Sequence, residues 1–357
     1  MALGKGMMVL ALGAVLCALG PGAAETCTTF ALEDEGGQIW VGKSYDWSRG
    51  EGLVVFNPRG LRKHALVLAA DEEGVRWEAA YASLTFNQYG YAFPNGGMNE
   101  AGLVVEVMVL DDSVYPAPDA RPSLNELQWV QWALDNHADV AELVAAAPAV
   151  RVAKVYAGIH YLACDQGGAC ATFEWIDGAL VIHHGESLDV RVLTNDPYAE
   201  ACRARAPSGN VDPQAAPPPG TGSLARFARA AHGVRETVSD GGVAAFALLD
   251  AVRMPGYTQW QIVYTPALGR VQWQSTAAAE RKEVRLAAFA PQCPAPAMVL
   301  DVDFPGAGDA AEHFEPFSHT ANRALLGAVL GPLAAELPLG AVEILAAFPL
   351  TFGCASD

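Results

Sequence analysis

The chain has 357 residues, with 22 basic against 40 acidic side chains and a net charge of −18. A shortage of Lys and Arg excludes a nucleic-acid surface, which needs clustered basic residues. The acidic residues are spread out rather than run together, which reads as a solvated surface that disfavours anionic ligands unless local arginines offset it.

In chain order, Lys5 precedes an apolar run at 7–19 that ends in Gly20-Pro21-Gly22-Ala23-Ala24. This is the pattern of a secretory signal peptide, and the run is shorter than the ~20 residues of a membrane span. The expected organisation is therefore a signal peptide plus short pro-segment over 1–26 and one domain over 27–357. The protein is expected to be exported, periplasmic or extracellular, with no stable membrane anchor. Small residues favour a cut after Ala24, which leaves Glu25-Thr26 for a second cut.

Short runs punctuated by Gly or Asp predict strands at 27–32, 38–45, 53–56, 65–68, 82–86 and 103–110. A proline-rich break at 115–122 leads into helices. Ser123 with Glu126 reads as a capping box ahead of Leu127, Val130 and Leu134, and Asp139 with Glu142 as another. Trp129 and Trp132 read as core or interface packing rather than a ligand platform.

Strands resume at 156–164, 171–175, 180–183 and 190–194. An exposed loop is expected over 203–222, then helices at 223–237 and 242–253 and strands at 259–264, 270–274 and 283–289. The apolar tail at 321–348 is interrupted by Arg323, Pro332, Glu336, Pro338 and Glu343, so it reads as packed helices. Strands, helices and strands again indicate an α+β or layered architecture.

Beyond Cys17 and Cys27, five cysteines remain: Cys164, Cys170, Cys202, Cys293 and Cys354. Cys164 and Cys170 flank a hairpin turn, where a local bridge and two free thiols both fit. His183 and His184 point to opposite faces of a strand, and no second close Cys or His pair stands at ligand spacing. Neither a metal nor a cofactor is expected.

Cys27 is the candidate nucleophile. No histidine lies near it in sequence, the first after it being His64. An N-terminal cysteine carries its own base, because a free α-amine has a pKa of about 7.7–8.0. Asp46 would orient that amine and Lys43 would favour the thiolate. The two stand three apart, so on a straight strand they face opposite sides, and a bend or bulge is expected to bring both to one site. On local chemistry alone an ordinary disulfide cysteine fits Cys27 as well.

Cys27-Thr28-Thr29-Phe30 followed by Gly42-Lys43-Ser44-Tyr45-Asp46-Trp47 resembles the opening of the choloylglycine hydrolase and penicillin V acylase family of N-terminal-nucleophile amidases. Three later segments match in the family's order: Asn99-Glu100-Ala101-Gly102-Leu103, Leu193-Thr194-Asn195-Asp196-Pro197 and Ser223-Leu224-Ala225-Arg226-Phe227. The resemblance implies a four-layer αββα sandwich, hydrolysis of a linear amide, and a dimer or tetramer. It implies Asn195 as the oxyanion donor and Arg226 as a fixed charge near the nucleophile, while Asn99 reads as a turn holder. Lys43 stands where the family usually has arginine, and Val109 where the bile-salt enzymes carry a second asparagine. Those departures direct the expectation toward penicillin V or N-acyl-lactone substrates and leave a rival: a secreted binding protein on the same fold that has lost turnover. Lys43→Arg is expected to be tolerated on this reading.

Overall fold

The computed structural model describes residues 27–67, 72–155, 157–205, 220–333 and 340–355. The expected signal segment at 1–26, most of the loop at 203–222 and the middle of the apolar tail lie outside the described residues.

Two sheets form the interior. The first has seven strands in the order Val192–Leu193, β1 (Thr28–Glu33), β2 (Ile39–Asp46), Thr258–Thr265, Arg270–Ser275, Lys282–Arg285 and Gly308–Asp309. The second has nine: Ala179–His184, Cys170–Ile176, Ile159–Cys164, Val104–Val109, Gly96–Asn99, Ser83–Asn87, Leu53–Asn57, Met298–Asp301 and Glu315–Pro316. Helices Ser223–Gly233 and Gly241–Ala251 cover the outer face of the first sheet, and Glu126–Asn136 with Val140–Ala146 covers the second. The inner faces meet where β1 packs on Val104–Val109 and Ile159–Cys164. This is the expected four-layer αββα sandwich.

A strand buried on both faces loses the in-out alternation of an exposed sheet, and β2 is buried at every position. Lys43 points inward to the second sheet, while Trp40, Gly42, Ser44 and Asp46 point to the helices. Gly42 pairs with Phe30, whose ring lies where a Cβ at residue 42 would be, 2.4 Å away. The glycine of the Gly-Lys-Ser motif is therefore needed for close approach. Gly102 has φ +90° and closes the turn whose donors, Ala101 N–H and Leu103 N–H, bond Asn99 Oδ1. Asn99 Nδ2 reaches the Leu134 and His137 carbonyls at 2.8 and 2.7 Å, so this residue holds a turn, as expected.

Most predicted elements are present within a few residues of their expected bounds. Three differ. Ser123 belongs to a short strand, Ser123–Asn125, paired in parallel with Arg151–Ala153, and the cap of Glu126–Asn136 is Asn125, which accepts from Gln128 N–H at 2.8 Å. The strand expected at 65–68 stands earlier, at Leu61–His64. An unpredicted helix, Tyr198–Arg205, follows the Asn195 turn. Asp139 caps Val140–Ala146 as expected, accepting from Glu142 N–H at 2.9 Å.

Trp129 is fully buried with its ring centroid 4.3 Å from that of Tyr161, a core role. Cys164 bridges Cys170 across the hairpin and Cys293 bridges Cys354, leaving Cys27 and Cys202 as the free cysteines among the described residues. Among the described residues, no helix is long and apolar enough to cross a membrane, and no cluster of three metal-ligating side chains occurs.

Candidate active site

All five candidate residues converge at one end of the sandwich. Cys27 is 2% exposed and lies just ahead of β1, with its sulfur 4.0 Å from the Asp46 carbonyl. Lys43 and Asp46 do stay on opposite faces of β2. The expected bulge is in the neighbouring strand, where the register shifts between Thr258 and Trp260 opposite Asp46 and Tyr45. Both side chains still act on Cys27 electrostatically, because the cysteine stands at the strand's end, between the two faces.

Arg226 is the hub. Although it is on a helix, it is fully buried. Its Nη1 donates to the Cys27 carbonyl at 2.7 Å and to Thr28 Oγ1 at 2.5 Å, and its Nη2 donates to Asn195 Oδ1 at 2.9 Å. The same guanidinium lies 4.0 Å from Asp46 Oδ2. One planar fork thus ties the start of β1 to the Asn195 turn, a task suited to arginine's several fixed donors.

Ser223 explains the rest of its motif. Its hydroxyl accepts from Asn195 N–H at 2.9 Å and donates to Thr194 Oγ1 at 3.0 Å. Phe227 packs into the core against Tyr198.

Asn195 Nδ2 donates to the Val109 carbonyl at 2.8 Å, so the structure brings together the two residues linked by the family pattern. An amide NH2 has two protons, and the second is available to a ligand.

Asp46 accepts from Ser44 Oγ at 2.7 Å and Thr258 Oγ1 at 2.5 Å, both on Oδ1. Its Oδ2 is buried without a hydrogen-bond partner. Burial pushes the Asp46 carboxyl above its usual range, against the pull of these hydroxyls, Arg226 and Lys43. Burial likewise pushes the Cys27 thiol up; Lys43 is the strongest opposing influence, Asp46 raises it further, and Arg226 lowers it. A thiol so placed needs a base to ionise.

Lys43 is 1% exposed. Its Nζ donates to the Val107 carbonyl, lies 3.5 Å from Met108 Sδ and 3.7 Å from Glu106 Oε2. Lys43→Arg has to seat a larger head among these buried groups, and overpacking of that kind costs about 1–3 kcal/mol, which sets the stability against which its expected tolerance is to be measured. Lys43→Ala is expected to lower kcat at least about tenfold with KM unchanged, since the cation acts on charge at sulfur. A rise in KM alone would reject that role.

Sequence reasoning missed Glu106 and Tyr264. Glu106 is buried, accepts from Tyr264 Oη at 2.5 Å, and has its pKa pushed up to about 7 because burial outweighs Lys43 and the hydrogen bonds. Between the ordinary glutamate value of 4.5 and about 7, the folded chain keeps a proton that the unfolded chain has released. Stability therefore falls as pH rises through that window, by about 3 kcal/mol in all. Glu106→Gln removes the titration. The stability of the wild type relative to Glu106→Gln, measured by urea unfolding, should decline from pH 4.5 to pH 8; a constant difference refutes it. Ser44 was visible inside the motif, but nothing local marked Thr258, Glu106 or Tyr264.

A cleft opens beside Cys27, lined by Tyr45, Trp47, Tyr89, Val107, Leu127 and Ile159 among others, with a cavity of only about 20 Å³. The lining is almost entirely apolar or aromatic, the surface an acyl group would prefer.

Residues 27–202 match the linear amide C–N hydrolases of the choloylglycine hydrolase family. The match spans just under half of the chain and agrees with the resemblance read from its motifs. Over 209 residues it is 32% identical to a penicillin V acylase of Pectobacterium atrosepticum, covering 53% of this chain and 54% of that protein. The chain thus spans about half the length of that curated relative. The solved penicillin V acylase of Agrobacterium tumefaciens superposes with a TM-score of 0.73 at 25% identity, over 82% of this chain and 98% of that one. A variant of the conjugated bile acid hydrolase of Clostridium perfringens superposes with a TM-score of 0.64 over 77% of this chain and 96% of that one. At 17% identity that likeness shows a shared fold alone.

Proposed function

We propose that this chain is an exported cysteine amidohydrolase that cleaves a linear amide between an apolar acyl group and a small polar amine. The observation that carries the reading is the apolar cleft ending at Cys27, beside a buried Asp46 carboxylate oxygen that has no hydrogen-bond partner. A free α-amine at Cys27 supplies the donor that this oxygen lacks.

In the proposed mechanism the Cys27 α-amine takes the thiol proton and sulfur adds to the amide carbonyl. Asn195 Nδ2 donates to the resulting oxyanion. The C–N bond then breaks as the α-ammonium protonates the leaving amine. Water adds to the thioester with the α-amine as base, releasing the acid and restoring the thiol. Asp46 steadies the ammonium form, and Arg226 holds Cys27 and Asn195 in mutual register.

Penicillin V is the first substrate to try, since the more similar relatives are named for it. The test is hydrolysis by the mature protein of penicillin V, N-acyl homoserine lactones, glycine- and taurine-conjugated bile acids and N-acyl amino acids. Penicillin V is expected to turn over faster than either bile-acid conjugate. Lys43 and Val109, the two departures from the family pattern, favour the rival reading of a binding protein. A thiol-directed acylating probe separates the two: stoichiometric fast labelling supports the hydrolase, and none supports the binder.

A further inference from the structure

Behind the cleft lies a buried polar chain that the mechanism above does not use. His160 sits on the strand Ile159–Cys164, one residue after Ile159, which lines the cleft. Adjacent strand residues face opposite sides, so His160 reaches into the sandwich interior. It is fully buried. Its Nδ1 is 2.8 Å from Glu174 Oε1, and its Nε2 is 2.7 Å from the Thr194 carbonyl. Glu174, also buried, accepts from Tyr198 N–H at 2.9 Å on the same oxygen and has His183 Nε2 3.9 Å from its other oxygen.

A carbonyl only accepts, so Nε2–H donates to Thr194 O, and the 2.8 Å contact at Nδ1 holds a further proton between the imidazole and the Glu174 carboxyl. The carboxylate at Nδ1 fixes the ring's orientation, as second-layer carboxylates do for functional histidines. The next residue after Thr194 is Asn195. We infer that His160, oriented by Glu174, is a positioning residue that sets the height of the Asn195 amide over the Cys27 sulfur through the Thr194 carbonyl.

Geometry favours positioning over simple stability. The chain Glu174–His160–Thr194 crosses from the second sheet to the edge of the first, at the point where the first sheet delivers Asn195. Arg226 and Ser223 hold Asn195 from the helix side, and His160 is the opposing hold from the other sheet. A donor displaced by a fraction of an ångström loses part of its transition-state effect.

This inference rests on the proposed role of Asn195, and its test avoids dependence on the amide substrate. Rapid mixing with p-nitrophenyl phenoxyacetate reads acylation: the Cys27 sulfur adds to the ester carbonyl through an oxyanion, p-nitrophenolate leaves, and the acyl group stays on sulfur. Iodoacetamide reads the thiol alone, since sulfur displaces iodide with no oxyanion. His160→Asn places its amide near the Nδ1 position, keeping the Glu174 contact but falling short of Thr194. His160→Gln places its amide near Nε2 and keeps the Thr194 contact.

The expected result is a burst rate about 10- to 100-fold lower in His160→Asn, below the ~10²–10³ of outright donor deletion, while His160→Gln stays within about fivefold of wild type. Alkylation should stay within about twofold in both, whatever their melting temperatures. Equal burst rates in the two variants, or burst and alkylation falling together, overturn the inference. A wild type that alkylates but gives no burst overturns the proposed function, and this inference with it.

Discussion

Cys27→Ala is expected to have no measurable turnover on any amide, yet to fold and melt within a few degrees of wild type. The sulfur is buried but contributes a single atom to the core, so its removal costs on the order of 1 kcal/mol. The chemical loss is complete, because no neighbouring side chain replaces a nucleophile that must form the thioester. Cys27→Ser should be almost as inactive: the hydroxyl ionises far less readily than a thiol, and burial already pushes the Cys27 thiol up. The same variants report on maturation. If the sulfur itself attacks the Thr26 carbonyl, intact mass will show wild type starting at Cys27 and Cys27→Ala retaining Glu25-Thr26. Identical starts in both proteins exclude self-processing. Turnover above a few per cent of wild type in Cys27→Ala rejects the nucleophile assignment.

Asp46 should give the next largest effect, in two forms. Asp46→Ala strands the Arg226 guanidinium and the Ser44 and Thr258 hydroxyls in a fully buried site. Breaking one side of such an arrangement costs about 3–5 kcal/mol, so the variant is expected to fold poorly. Asp46→Asn keeps the shape and the acceptor for both hydroxyls but loses the anion. On the proposed mechanism its kcat falls about 100-fold or more, with KM little changed, because the ammonium formed at Cys27 loses its counter-charge. Unchanged kcat in a folded Asp46→Asn would remove Asp46 from the mechanism.

The parts of this site that were legible in the sequence are those built from contiguous residues. Gly42 and Lys43 stand in one motif, Asn99 and Gly102 in another, Ser223 and Arg226 in a third, and each motif turned out to be one local piece of geometry. What the sequence hid is the contact between pieces. Arg226 at one end of a helix and Cys27 at the start of a strand are 199 positions apart, and only the sandwich brings them together. Ser123 looked like a cap because Glu126 follows it at the right spacing. Pairing with Arg151–Ala153 draws Ser123 into a strand and passes the cap to Asn125. Glu174 and His160 carried no local signal, since a buried carboxylate beside a buried imidazole is made by strand order alone.

The clamp on the start of β1 has a consequence for how the molecule opens. Chain ends ordinarily fray, and the first amides of a domain exchange with solvent through cheap local openings. Here the Cys27 carbonyl and the Thr28 hydroxyl are both held by Arg226, and β1 is paired on both sides, with Thr29 opposite Leu193 on one and Lys43 on the other. Fraying of this end means withdrawing a buried guanidinium's partners and two ladders at once. The Thr29 and Phe30 amides should therefore exchange as slowly as the central strand Thr258–Thr265, in a regime set by global unfolding. The proposed nucleophile then has no half-open state in which the fold survives but Cys27 is loose. Deuterium uptake at Thr29 faster than at Ile262 would show that such a state exists.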